Sequence, residues 1–343
     1  LNSSSIWRDV LPEWIKENIN YNLPNDLLFN SIDEIIKNNI KNWIKTKPWH
    51  SLDNIRIEDI KSNLEHEKDW SFKGDRNKNI HTYQATFVRT IPNRIISSLG
   101  LKGELIIDPF GGTGQTAEEA LRLGCRAITS DVNSIAVLTT KTKFSYLSKE
   151  DREIIRDINT DVLLRQLDYS IPDFDKIDKW HHPDTIIELS KILHFINNTE
   201  KENIRLFLTT CFSDILTSST ERKGKGLSYF ADNTPLPKGQ LKPLYQPAIS
   251  YFLNKIILNL KTLESFYSSL ERKRRSPEKE LQNVKVFKAD ARQISPELYG
   301  IKEKEAAAII TSPPYLCMVD YTLGQRLSYN WLFSKEFKTD FNI

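Results

Sequence analysis

The fold is decided by Glu104-Leu-Ile-Ile-Asp108, which runs directly into Pro109-Phe-Gly-Gly-Thr-Gly114. A short apolar run closed by a glycine-rich turn reads as a buried strand. The pattern from Thr116 to Leu123 is then helical and stops at Gly124. A second apolar run, Arg126-Ala-Ile-Thr-Ser130, follows and ends in Asp131. Strand, glycine loop, helix, strand is the building unit of a parallel Rossmann-like sheet, so the predicted class is α/β. Just upstream, the aromatic stretch His81-Thr-Tyr-Gln-Ala-Thr-Phe87 leads into a helix over Ile91–Ile96 that closes at Gly100.

Such a loop lets a ligand approach the backbone closely and offers it the free N–H groups of a helix N-terminus. Two ligand types compete for it. Gly112-Thr-Gly-Gln-Thr-Ala117 fits a loose dinucleotide fingerprint. Asp108, directly before the loop, would repel a pyrophosphate and favours a nucleoside with a cationic amino-acid end, which S-adenosylmethionine has. Asp131, at the tip of the second strand, is placed to accept both hydroxyls of a ribose. A tight turn without a ligand is the bland alternative.

From Leu138 to about Glu280 the α/β rhythm stops. Thr185-Ile-Ile-Glu188 reads as a capping box opening one helix, and further helices are predicted over 204–216 and 249–270. Between the last two lies a Gly/Lys/Pro-rich segment whose Arg222, Lys223 and Lys225 suit phosphate contacts, or form a solvated loop. The run Arg272-Lys-Arg-Arg275 reads as a solvated helix end. Strand character resumes at Val284-Lys-Val-Phe287, followed by Asp290, a candidate acceptor for an adenine amino group. The next apolar run, Ala306–Ile310, ends in Thr311-Ser-Pro-Pro-Tyr315. Two prolines fix two φ angles and remove two donors. Acceptors at Ser312 and Pro313, set before Pro314 and the ring of Tyr315, suit a planar base held by its amino group and stacked upon, or form a proline-terminated strand at a turn. An aromatic helical segment continues through Trp331 and Phe333.

Composition bounds the rest. A chain of 343 residues, 39% hydrophobic and 27% charged, can bury a sizeable core, and a net charge of +3 means that nucleic-acid binding needs a local basic patch. Cys125, Cys211 and Cys317 are scattered, with no CxxC pair and no zinc-like cluster, so no metal is expected and the thiols read as reduced. No apolar run approaches the ~20 residues of a membrane span. A cytoplasmic protein is the expectation.

Asp108-Pro-Phe-Gly-Gly-Thr-Gly114 together with Thr311-Ser-Pro-Pro-Tyr315 resembles the pair of signature motifs of DNA amino-methyltransferases. The TSPPY form is similar to that of N4-cytosine enzymes, with N6-adenine enzymes as the alternative. The resemblance covers roughly residues 75–140 and 281–333. It implies a Rossmann-like S-adenosylmethionine methyltransferase core with a large helical insertion and a helical N-terminal region, divided at 1–70, 71–140, 141–280 and 281–343. It implies that His81, Tyr83, Phe87, Asp108, Pro109, Phe110, Gly112, Gly114, Asp131 and Asp290 hold the cofactor, and that Ser312, Pro313, Pro314 and Tyr315 hold the base. Double-stranded DNA is the implied partner, with a restriction endonuclease as a companion. About 150 residues separate Asp131 from Val284, and this insertion is the expected target-recognition element. The sheet is expected to be incomplete: the chain reads as truncated, or as completed by another subunit. An inactive cofactor- or DNA-binding subunit is the reading from a different class.

Overall fold

The computed structural model describes residues 79–83, 86–174, 177–220, 243–314 and 323–333. The expected N-terminal helical region, the basic residues Arg222, Lys223 and Lys225, Cys317 and Tyr315 lie outside these residues.

The core is entered through α1 (Thr90–Ser98), which leads to β1 (Leu105–Asp108), buried along its whole length. After the glycine loop come α2 (Gln115–Leu123), β2 (Arg126–Asp131) and α3 (Ser134–Phe144). Asn133 caps α3, its side-chain oxygen accepting from the N–H groups of Ile135 and Ala136. Seven described helices then follow, without a described strand among them: α4 (Lys149–Arg156), α5 (Thr160–Leu164), α6 (Ile177–Trp180), α7 (Pro183–Asn197), α8 (Glu202–Ser218), α9 (Ala248–Glu271) and α10 (Pro277–Leu281). The sheet resumes with β3 (Val284–Lys288), α11 (Pro296–Tyr299) and β4 (Ala306–Ile309), and a 3₁₀ turn at 323–325 leads into α12 (Arg326–Leu332).

All strands are parallel, in the order β3-β2-β1-β4. Asp108 pairs with Thr129, and Ile107 with Ile309. The chain winds outward from β1 through β2 to β3, then returns to the other side of β1 for β4. The reversal leaves a crevice at the carboxyl ends of β1 and β4, where open α/β sheets bind ligands. β4 is the edge of the described sheet, with Ile309 64% exposed.

Alternation along the strands sends residues to opposite faces. Leu105, Ile107 and Ile128 join Tyr299 in a small cluster, whereas Ile106 and Ala127 belong to the large core. That large core runs without a break into the insertion, through Phe207, Phe212, Phe252, Leu260 and Phe266. The stretch read as an insertion is thus packed on the sheet's helical layer and shares its core.

Two local expectations are corrected. Helix α7 begins before Thr185, because Pro183 presets φ at its first position and His182 caps it, accepting from Asp184 N–H. Thr185 instead donates to the Gln246 carbonyl (2.9 Å) and Glu188 accepts from Ile249 N–H (2.9 Å), tying α7 to the start of α9. The capping box belongs to Ser148 and Asp151, at α4. The basic run at 272–275 is not simply solvated. Lys273 Nζ donates to the Arg122 carbonyl (2.6 Å) and Arg275 Nη1 to that of Leu121 (2.9 Å), adding side-chain donors at the end of α2.

Candidate active site

The glycine loop is held at both ends. Phe110 N–H turns back to donate to Asp108 Oδ1 (3.1 Å), and Gly111 N–H reaches across to the Ser130 carbonyl (2.8 Å). Gly114, with φ +75°, starts α2, and a Cβ there would stand 2.8 Å from Thr140 Cγ2. The tightest approach is at Gly111, where a Cβ would lie 1.8 Å from Thr129 Oγ1. The sequence singles out Gly112 and Gly114 and passes over Gly111, although the doubled glycine of Phe110-Gly-Gly was a legible signal. Thr140 Oγ1 donates to the Gly112 carbonyl (2.8 Å), and the Tyr83 ring comes within 3.8 Å of where a Gly112 Cβ would be.

Asp131 closes the loop from the neighbouring strand. Its Oδ2 accepts from Gly112 N–H (2.9 Å) and its Oδ1 from Asn133 N–H (2.8 Å). Burial pushes its carboxyl up to about 6; the N–H groups of Asn133 and Gly112 oppose the shift and the nearby Asp108 adds to it. A carboxylate has about four acceptor sites, so these backbone bonds leave Asp131 acceptor capacity, which is what a ribose diol needs. Asp108 is itself 3% exposed, and burial raises its carboxyl. The Thr311 hydroxyl counters this, donating to Asp108 Oδ1 at 2.6 Å.

That bond joins the two sequence motifs. Ile310 N–H still pairs with the Ile107 carbonyl (3.0 Å), and beyond it Thr311 and Ser312 are half-buried and Pro313 and Pro314 exposed, next to the loop that starts at Asp108. Pro109 is buried, and Phe110 is 37% exposed at the same end of the sheet. Asp290 lies one residue past Ala289, whose N–H bonds the Asp131 carbonyl (3.1 Å). Its carboxylate is gripped by Arg292, with Nε 3.0 Å from each oxygen, and this holds it below the usual carboxylate range.

His81 does not share this crevice in the way Tyr83 does. Its ring is 2% exposed, with Nε2 bonded to Ser213 Oγ of α8 (2.8 Å) and Nδ1 to the Thr82 carbonyl (2.7 Å). Burial lowers its basicity against the pull of Asp214, 3.7 Å away. Asp214 is in turn paired with Lys255 (2.5 Å). His81 therefore anchors the segment that carries Tyr83, and Phe87 packs on the core. The other clamp is α12: Ser213 Oγ donates to Ser328 Oγ (2.7 Å), and Gln325 Nε2 to the Thr82 carbonyl (3.3 Å). Tyr329 OH accepts from Ser134 N–H (3.0 Å) and donates to Asn133 Oδ1 (3.2 Å), just past Asp131. No local pattern announces these partners, since they lie more than 100 residues apart in sequence.

A cavity of about 490 Å³ lies elsewhere, against α9 and the flank of α2. Its cations are largely spent on internal pairs, Lys143 and Arg122 both reaching Glu118 (2.8 Å each). Among the described residues no His/Cys/Asp/Glu group has metal-site geometry, and no helix is long and apolar enough to cross a membrane.

A family model described as DNA methylase, of the N6/N4 methyltransferases, matches residues 14–141. The Type II methyltransferase M.MvaI of Kocuria varians is 25% identical over 270 residues, covering 74% of this chain and 56% of its own length. M.BsoBI of Geobacillus stearothermophilus is 27% identical over 288 residues, 76% of this chain and 54% of the relative. M.MjaII of Methanocaldococcus jannaschii is 20% identical over 325 residues, 71% and 59%. The chain thus spans a little over half the length of the curated relatives it matches. No solved structure matches it.

Proposed function

We propose that this chain, a member of the N4/N6 family of S-adenosylmethionine-dependent DNA amino-methyltransferases, transfers a methyl group to the exocyclic amine of a cytosine flipped out of DNA. The observation that carries the reading is the bond from Thr311 to Asp108. It brings the strand end that offers Ser312 and Pro313 beside the glycine loop and Asp131, at the switch point of the sheet.

The residues suit the cofactor. Asp131 keeps acceptor capacity for two ribose hydroxyls, Asp108 sets a carboxyl beside the loop, and bare Gly112 leaves room beside Tyr83. When bound, S-adenosylmethionine supplies an electrophilic methyl group on a cationic sulfur. The chain's own task is to make a poor nucleophile attack. The amine lone pair of cytosine is delocalised into the ring. Ser312 Oγ and the Pro313 carbonyl accept hydrogen bonds from the amino group, favouring a pyramidal nitrogen and helping its proton away. Tyr315 stacks on the base. Flipping costs a few kcal/mol, which stacking and pocket contacts offset, and holding the amine in line with the methyl group supplies much of the rate. Asp290 would accept from the adenine amino group, sharing its carboxylate with Arg292. Arg222, Lys223 and Lys225 are the proposed phosphate contacts, in a setting with a companion restriction endonuclease. The exposed edge of β4 favours activity in a longer polypeptide or with a completing subunit.

The test is incubation of the protein with labelled S-adenosylmethionine and DNA, followed by digestion to nucleosides. Labelled N4-methylcytosine is the expected product. N6-methyladenine would reassign the base, and cofactor and DNA binding without transfer would make the chain a binding module.

A further inference from the structure

Thr311 opens the Thr311-Ser-Pro-Pro-Tyr315 motif, in which the sequence assigns roles only from Ser312 onward. The ladder of β4 ends at Ile310, whose N–H bonds Ile107, and the next side chain reaches over to Asp108, 203 residues earlier in sequence. We propose that Thr311 is a positioning residue, which ties the strand end presenting Ser312 and Pro313 to the carboxylate at the foot of the glycine loop. This rests on the reading of the crevice as the cofactor site. The contact is a charge-assisted bond in a dry place: 2.6 Å long, to a carboxylate that is 3% exposed. A β-branched side chain is restricted at χ1, so the hydroxyl is held where it is needed.

The bond has two consequences. It fixes where the base-holding residues stand relative to the loop. It also opposes the rise that burial imposes on the Asp108 carboxyl, as do hydrogen bonds from Phe110 and others. Among the described residues, the groups facing Asp108 give no cationic help. They are the carboxylate of Asp131 on β2, the Thr116 hydroxyl on α2, and the Tyr299 phenol on α11, itself bonded to Ser130 Oγ (2.7 Å). A neutral Asp108 would lose its attraction for a cationic ligand, so the Thr311 bond links the acceptor motif to the carboxyl beside the loop.

The experiment is an NMR titration of aspartate carboxyls in the full chain, comparing wild type, Thr311→Val and Thr311→Ser, alongside S-adenosylmethionine affinity measured across pH. In Thr311→Val the Asp108 midpoint should rise by about one unit, a tenfold change in proton affinity. Cofactor affinity should fall about tenfold near that midpoint, its acid limb moving the same way, while Thr311→Ser retains both. Thr311→Ala serves the same comparison if the valine variant does not fold. An unchanged Asp108 midpoint in the variant overturns the proposal. A shifted midpoint in a protein that binds no S-adenosylmethionine leaves the positioning bond standing and refutes the cofactor reading instead.

Discussion

Gly111→Ala is the most informative single change. A Cβ at this position would sit 1.8 Å from Thr129 Oγ1, 3.2 Å from Thr129 Cβ and 3.4 Å from the Ser130 carbonyl oxygen. Thr129 is 1% exposed and lies in the middle of the sheet, paired with Asp108, so it cannot move aside as a unit. Either its χ1 turns or the loop lifts, stretching the 2.8 Å bond from Gly111 N–H to Ser130. Overpacking of this kind costs about 1–3 kcal/mol, whereas alanine recovers only about 0.4–1 kcal/mol by restricting the unfolded chain. A net loss of about 1–2 kcal/mol is expected, read as a lower urea midpoint at unchanged slope. Thr129→Ala removes the atom at 1.8 Å and leaves the contact at 3.2 Å, which a small shift absorbs. In that background Gly111→Ala should cost about 1 kcal/mol less, a coupling that a double-mutant cycle resolves. Cofactor affinity should fall with the loop's displacement and recover in the double variant. If Gly111→Ala costs as much without the Thr129 hydroxyl as with it, the clash is not the cause and the close-approach argument fails.

Glu118 is buried between two cations, and although burial raises its carboxyl, Lys143 and Arg122 bring it down to about 2. Glu118→Gln should therefore cost about 3 kcal/mol by stranding buried charge, and in wild type this contribution is present above the ordinary glutamate range and lost as pH falls toward 2, checked by urea titrations at several pH values. Asp131 has the opposite sign: its carboxyl is raised to about 6, so its share of stability is full below pH 4 and is lost as pH rises through 6. Asp131→Asn should flatten stability against pH across that window, and a slope identical to wild type would show that another group titrates there. Ser312→Ala should remove methyl transfer while leaving S-adenosylmethionine affinity within about twofold, measured by calorimetry, and loss of cofactor binding would detach this strand end from the base.

Much of the core was legible because its signals are local. Apolar runs that end in Asp108 and Asp131, the glycines between them and the prolines after Ile310 each follow from a few neighbouring residues, and the strands lie within a residue or so of where those patterns put them. Capping was less legible. Thr185 and Glu188 have capping-box spacing, but Pro183 starts the helix sooner and frees both side chains for contacts 61 residues away. His81 shows the same limit, since the resemblance of its segment implies a cofactor contact and only the fold reveals Ser213 as its partner.

The sequence by itself determined which elements form: a parallel α/β core, a glycine loop flanked by two acids, and a strand end closed by two prolines. Tertiary structure decided how these parts meet. Strand order, with β4 crossing to the far side of β1, is what sets Thr311 against Asp108. The helical stretch joins the sheet's core because its apolar faces match, and α12 returns to brace Asn133 and Ser134 through Tyr329. Pairings of this kind depend on how a chain of 343 residues closes on itself. Periodicity and turn chemistry extend over only a few residues and cannot specify them.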